Sequence, residues 1–453
     1  MSYSNSFLLK IYYTSPTLIK SLISGTYGML ESKKRYGNHF RYWLNLLKKY
    51  EFSNNEELIK FRDSQLLEFI DFTIKNCKFY NHLEKTDINQ FPILNKQDLR
   101  KNYDRLIISN YNERIKRVHT SGTTGSSLIF PLTISCFQRE YSFRAMHYWW
   151  AGIDVLKKPR IATFSGHPVA KSNENNPPFW VYDFYNNWLL FSSYHIKNEN
   201  EKYYIEKLKE FSPEVIHGYP SSVYLIAKAF KKYGTHLKNL KAIFTASESL
   251  LDLQRKEIEE AFQVKVFNWY GNTEMCANIV ECEKGNLHLK YEHSYVEILN
   301  ESNNSCKPGE IGRLICTNFC NRAFPIIRYD IGDVVKISNK QKCECNRGGL
   351  IIDFIEGRIE DYVITTDGRK IGRLDHLFKD TLGIKEAQII QNQIGEITIK
   401  YVPDEMFTNK DLVILEKECY LRFGNNMKVN FEEVGFINRT QNGKMKFIIS
   451  NLN

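Results

Sequence analysis

From about residue 115 to residue 290 the chain alternates short β-rich runs with helical runs, and this alternation restricts the fold more than any other feature. Arg160–Phe164, Val215–Ile216, Ala242–Thr245 and Val264–Asn268 read as strands. Ser221–Tyr233 and Leu251–Phe262 lie between them and read as helices. A helix between two strands carries the chain back across the sheet, so such strands pair in parallel and an α/β layer is expected. At 453 residues the chain exceeds one ordinary core, which sets the expectation at two or three.

The flanking regions differ. Residues 1–90 read as helical, and Glu56–Tyr80 carries Leu58, Ile59, Phe61, Leu66, Leu67, Phe69, Ile70 and Ile74 close to a 3.6 period. Asn95, just after Pro92, is suited to cap a helix starting at Lys96. From 287 to 356 strand-like runs are separated by Asn, Gly and Pro turns, which suggests an antiparallel subdomain. The remainder reads as a compact α+β unit, with strands near Tyr362–Thr365, Glu386–Gln391 and Ile397–Tyr401 and a helix near Asp411–Phe423. The expected division is a large α/β domain over 1–357, with mixed sheets flanked by helices, and a small α+β domain over 358–453.

Composition excludes several classes. Hydrophobic content of 42% and charged content of 25% are those of a globular protein. The net charge of +10 is spread along the chain rather than gathered into one run, which argues against nucleic acid as a partner. Ten cysteines in this length form no dense disulfide framework. The first residues lack the pattern of a secretory signal and no run of 18 apolar residues occurs, so a reducing cytoplasm and no transmembrane segment are expected. Residues 6–34 could form an amphipathic helix, for which packing on the large domain is favoured over a membrane surface.

The densest local feature is His119-Thr120-Ser121-Gly122-Thr123-Thr124-Gly125-Ser126-Ser127. Glycines let backbone approach a ligand, and hydroxyls with exposed N–H groups donate to phosphate oxygens. No lysine follows the second glycine, so this is not a Walker A loop. Downstream come Tyr270-Gly271-Asn272-Thr273-Glu274, Arg328-Tyr329-Asp330-Ile331-Gly332-Asp333, Gly357-Arg358-Ile359-Glu360-Asp361 and Asn442-Gly443-Lys444. With these five motifs in this order, the chain resembles the adenylate-forming superfamily. Asn76-Cys77-Lys78-Phe79-Tyr80 and Phe91-Pro92-Ile93-Leu94 resemble the phenylacetate–CoA ligase branch, and the run Asp367–His376 is similar to CapK-type members found in capsular polysaccharide biosynthesis.

The resemblance implies ATP-dependent activation of a carboxylic acid as an acyl-AMP. It assigns Thr120, Ser121, Gly122, Thr123, Thr124 and Gly125 to the triphosphate, and Tyr270, Gly271, Asn272 and Thr273, with Ser247 and Glu248, to the strip around the adenine. Asp333, assisted by Arg358, would accept from both ribose hydroxyls, a task suited to an acceptor-only carboxylate. Glu274 would hold Mg²⁺, and Lys444 would neutralise the charge that develops between carboxylate and α-phosphate. In this superfamily the small domain rotates after adenylation; Glu360 stands where the hinge residue is usually Asp. Candidates for the acid-pocket wall are Phe164, His167, Tyr219, Pro220, Ser221 and Ala246, each near a strand end.

Cys282 and His288, with Cys343 and Cys345, offer three thiolates and one imidazole at turns, the donor set of a closed structural Zn²⁺ site. The implied acceptor is CoA, with a carrier-protein thiol, a sugar amine or an adenylated phenolic cofactor as alternatives. A non-catalytic zinc-containing binding protein is the reading of another class. The sequence leaves the acid and the oligomeric state open, a homodimer being one candidate.

Overall fold

The computed structural model describes residues 12–452 apart from 85–86, 110, 120–128, 168, 171–173, 175, 359–362, 367–369, 372–373, 379–380, 382, 406, 425 and 440–444. Three helices open the described chain: α1 (Thr17–Arg35), α2 (Asn38–Lys49) and α3 (Asn55–Asn76). Asn54 caps α3 by accepting from the Glu57 amide, and Leu58, Leu66, Phe69, Ile70 and Thr73 bury one face of it. The expected cap at Asn95 is present as a reciprocal capping box with Asp98, starting α4 (Lys96–Lys101). A single-turn helix, α5 (Tyr103–Leu106), follows.

The N-terminal helix lies on protein. Gly25 of α1 sits against the Phe184 ring and Gly28 against Asp183 and Asn186, so any side chain at either would collide. Among the described residues no helix is long and apolar enough to cross a membrane.

A hairpin of β1 (Ile115–His119) and β2 (Ile129–Thr133) precedes α6 (Ile134–Trp150). Then come β3 (Ile161–Ser165), β4 (Trp180–Asp183), β5 (Trp188–Ser192), α7 (Glu201–Phe211), β6 (Val215–Gly218), α8 (Pro220–Lys232), β7 (Ala242–Ala246), α9 (Asp252–Phe262) and β8 (Val266–Gly271). Strands β5, β3, β6, β7 and β8 pair in parallel in that order. Their central residues are almost wholly buried, as strands covered on both faces require. Pro220, preset for the first turn, starts α8 one residue before the expected Ser221.

Six further strands follow: β9 (Asn278–Glu281), β10 (Leu287–Leu289), β11 (Ser294–Leu299), β12 (Ile311–Asn318), β13 (Tyr329–Ile337) and β14 (Leu350–Arg358). They are antiparallel, as expected, and β9 hydrogen bonds directly onto β8. The parallel and antiparallel runs are therefore one 12-stranded sheet, with β8 at the change of direction.

Beyond a two-stranded ribbon, β15 (Val363–Ile364) with β16 (Lys370–Ile371), a four-stranded sheet closes the chain. It contains β17 (Ile384–Gln393), β18 (Glu396–Pro403), β19 (Lys428–Glu433) and β20 (Ile448–Ser450), with α10 (Asn409–Phe423) against it. Val363, Leu377, Ile389, Ile399, Leu415 and Phe423 belong to a core made only of residues after 362. This C-terminal unit meets the large one through charge: Lys228 pairs with Asp404, Lys232 with Glu405 at 2.6 Å, and Lys385 with Glu201 at 3.0 Å.

Candidate active site

Tyr270 stands at the end of β8, and its hydroxyl donates to Asp333 Oδ2 at 2.5 Å. Two motifs 63 residues apart thus share one hydrogen bond. Burial, and then the Asp333 charge, hold the Tyr270 phenol well above its ordinary pKa, so it remains a donor. Asp333 on β13 is in register with Arg358 on β14, which brings the third and fourth motifs together; the Arg358 side chain lies outside the described residues. Gly271 is required because a Cβ there would come within 2.7 Å of the Trp269 indole nitrogen.

After β8 the chain turns sharply. Asn272 Oδ1 accepts from the Cys276 amide at 3.0 Å, and Thr273 is half-buried in the same turn. Met275 takes a left-handed conformation (φ 50). The carbonyl of the buried Glu274 accepts from Asn318 at 2.7 Å. Asn318 begins the loop at which a disulfide joins Cys320 to Cys136, at the start of α6. Neither cysteine stood out in the sequence; the Cys136 sulfur is also 3.9 Å from that of Met275. The start of α6 is thereby fixed against the Glu274 turn. Thr120, Ser121, Gly122, Thr123, Thr124 and Gly125 themselves lie outside the described residues, as do Glu360 and Lys444.

The next turn over is built around Glu248. One carboxylate oxygen accepts from the Ser221 amide at 3.2 Å and the other from the Met445 amide at 2.5 Å. Met445, the residue after Lys444 in the chain, thus reaches the strip named in the sequence. Burial raises the Glu248 pKa, against the donors that lower it. Ser247, the preceding residue, is exposed and held at φ 73.

Of the proposed pocket wall, His167 and Ala246 are half-buried at strand ends, while Pro220 and Ser221 are buried in the first turn of α8. The Tyr219 hydroxyl accepts from the Gly166 amide at 3.1 Å, tying the turns after β3 and β6. Phe164 requires correction. It is fully buried and stacks on Phe191 at 4.8 Å, because the last inward position of β3 faces the α7–α8 core rather than the crevice. Sequence reasoning also missed Tyr148 and His217, whose hydroxyl and Nδ1 are 2.9 Å apart across α6 and β6.

Cys282, His288, Cys343 and Cys345 converge as read: their four ligand atoms lie within 4.8 Å of one another and all four residues are buried. The Cys282 and Cys343 sulfurs are 3.7 Å apart and Cys345 Sγ is 3.4 Å from His288 Nε2. Tetrahedral zinc with ordinary bond lengths needs edges of about 3.8 and 3.6 Å. His288 Nδ1 lies 3.1 Å from the Gly348 carbonyl, a contact that fixes the tautomer with Nε2 free towards the sulfurs.

Comparisons with known proteins identify relatives of the chain. Residues 363–451 match the CapK C-terminal domain family. Protein CapK of Staphylococcus aureus is 30% identical over 463 aligned positions, covering 98% of this chain and 99% of that protein. A phenylacetate-coenzyme A ligase of Thermus thermophilus is 24% identical, over 68% of this chain and 72% of its own. Among solved structures, a 2-hydroxyisobutyryl-CoA ligase in its postadenylation state, in complex with 2-HIB-AMP, shares the fold at a TM-score of 0.68 and 17% identity, over 89% of this chain and 91% of that one. The chain belongs to the CapK family, within the phenylacetate–CoA ligase-like branch of the adenylate-forming ligases.

Proposed function

We propose that this protein activates a carboxylic acid with ATP and passes the acyl group to coenzyme A. A carboxylate oxygen attacks the α-phosphorus, the bond to the bridging β-phosphate oxygen breaks, and pyrophosphate leaves. The CoA sulfur then attacks the acyl carbon and AMP departs. The observation that carries the reading is a pair of long-range contacts at neighbouring strand ends: Tyr270 after β8 on Asp333, and Glu248 after β7 on the Met445 amide, with β7 and β8 paired in parallel.

In this reading Asp333 and Arg358 hold the ribose and Tyr270 flanks the base, its hydroxyl keeping Asp333 oriented. The 120–127 loop receives the triphosphate. Glu274 supplies the oxygen ligand that a hard Mg²⁺ prefers, and the ion would lessen repulsion between the two anions that must meet. Lys444 brings an ammonium to the transition-state charge, and its neighbour in the chain, Met445, bonds Glu248. The C-terminal unit, from about residue 358, turns about Glu360 between the half-reactions. The three sulfurs and imidazole hold structural zinc, a donor set with no open position for chemistry. Likeness to CapK-type proteins supports surface polysaccharide as the setting of the reaction.

Acid-dependent exchange of labelled pyrophosphate into ATP tests the first half-reaction, over a panel of acids. Absence of exchange with every acid removes the proposal; exchange without a CoA-dependent product removes only the acceptor.

A further inference from the structure

Two arginines that no motif singled out share one aromatic ring. Arg35, in the last turn of α1, has its guanidinium carbon 4.9 Å from the Tyr141 ring centroid, and Arg144 of α6 lies 5.2 Å from the same centroid. Arg144 is also 5.9 Å from Trp269, the residue before Tyr270. Around them stand Tyr148 of α6, and His167 and His217 at the carboxyl ends of β3 and β6, where parallel sheets place ligands.

The charge here is poorly balanced. Arg35 Nε is enclosed and has no acceptor among the described residues. Its carboxylate neighbour Glu31 is engaged by Lys34 at 2.6 Å and Lys116 at 3.4 Å. Glu140 accepts from Arg144 Nε at 3.4 Å and pairs with His293 at 3.0 Å. Burial first, then the arginines, push His167 and His217 down to about 4, so neither offers an anion. The Arg144 side chain is nonetheless 44% exposed, which means that space opens beside it. Stacking on Tyr141 accounts for the guanidinium planes but not for an N–H buried without an acceptor.

We propose that the acid activated here carries a second anionic group, a carboxylate in the simplest case, bound between Arg35 and Arg144. The inference rests on the adenylation reading: the reacting carboxylate faces the Tyr270 side and the second one faces the arginines. An apolar acid would leave the Arg35 Nε–H without an acceptor and Arg144 with only the Glu140 carboxylate that it shares with His293.

The test is pyrophosphate exchange by the full chain with matched acids: malonate to adipate, each against its monoamide, with phenylacetate alongside. The diacid should be preferred at least about tenfold in kcat/KM, as expected for a charge-assisted pair. Arg35→Met and Arg144→Met should each raise the KM for the diacid by a similar factor and leave the KM for ATP unchanged. Should either variant fail to fold, Arg35→Lys and Arg144→Lys keep the charge but lose the planar fork and should show a smaller rise. Preference for a monoamide or phenylacetate overturns the proposal, as does an unchanged diacid KM in the folded variants. No exchange with any acid is a different result, since it removes the adenylation reading and this inference with it.

Discussion

Replacing Lys228 and Lys385 together by alanine should release the C-terminal unit from the large one without altering a nucleotide contact. Lys385 bonds Glu201 at 3.0 Å and Asn198 at 2.5 Å, and Lys228 pairs with Asp404. The side chains are mostly covered, 13% and 4% exposed in the first pair and 18% and 20% in the second. Screening is weaker there than at a free surface, so about 1.5 kcal/mol for each pair is reasonable. Lys232, which also contacts Glu201 at 3.4 Å, limits the cost of leaving that carboxylate behind. Together the two changes should shift the docked–undocked balance by about 3 kcal/mol, roughly a hundredfold. Hydrogen exchange of α7 and α8 should then lose protection, and pyrophosphate exchange should slow. High salt should move the unaltered protein in the same direction, because screening shortens the reach of both pairs. Equal protection in both proteins, insensitive to salt, would refute the argument.

Four more outcomes follow from the same geometry. Lys444→Ala should lower pyrophosphate exchange by about a hundredfold or more with the fold intact; a normal rate removes its catalytic role. Tyr270→Phe deletes the hydrogen bond to Asp333 and should raise the KM for ATP about tenfold, read by steady-state kinetics. Cys343→Ser or strong chelation should lower the thermal midpoint, and elemental analysis should find one zinc per chain; metal-free, unshifted protein rejects the site. Finally, burial holds His147 down to about 3 and His217 at about 4. Their unfolded forms take a proton near pH 6.5, so the unfolded state binds more protons below that and stability falls with pH, by about 1.4 kcal/mol per unit per group at most. Denaturant midpoints at pH 7 and 5 should show this, more weakly in His147→Gln; identical slopes would count against it.

Much of the architecture was legible because its signals are local. The cap at Asn95, the helical run from Ser221 and the apolar runs of β3, β6 and β7 each act within a few residues. Continuity was not legible: nothing in 278–356 says that β9 pairs with β8 rather than with a separate layer, since register is decided by packing across the sheet. The same limit applies to the site. Motif order located Tyr270 and Asp333, but their hydrogen bond and the seat of Met445 on Glu248 are long-range contacts. Phe164 was misread because a strand end serves the crevice and the core on alternate residues. Arg35 and Arg144 carried no sequence signal beyond two cations among aromatic neighbours.

The residues after Lys444 belong to a stiff framework. Met445 bridges to Arg439, the Lys446 carbonyl accepts from Gln388 at 2.7 Å, and the Phe447 carbonyl accepts from the Ile389 amide at 2.8 Å before β20 joins β17 in parallel. Met445 is therefore carried by the C-terminal sheet, and its amide is the group that Glu248 of the large unit accepts from. Separating that pair by more than a side chain's length requires the whole four-stranded sheet to travel, so this contact and the Lys228 and Lys385 ion pairs are made and broken as one piece.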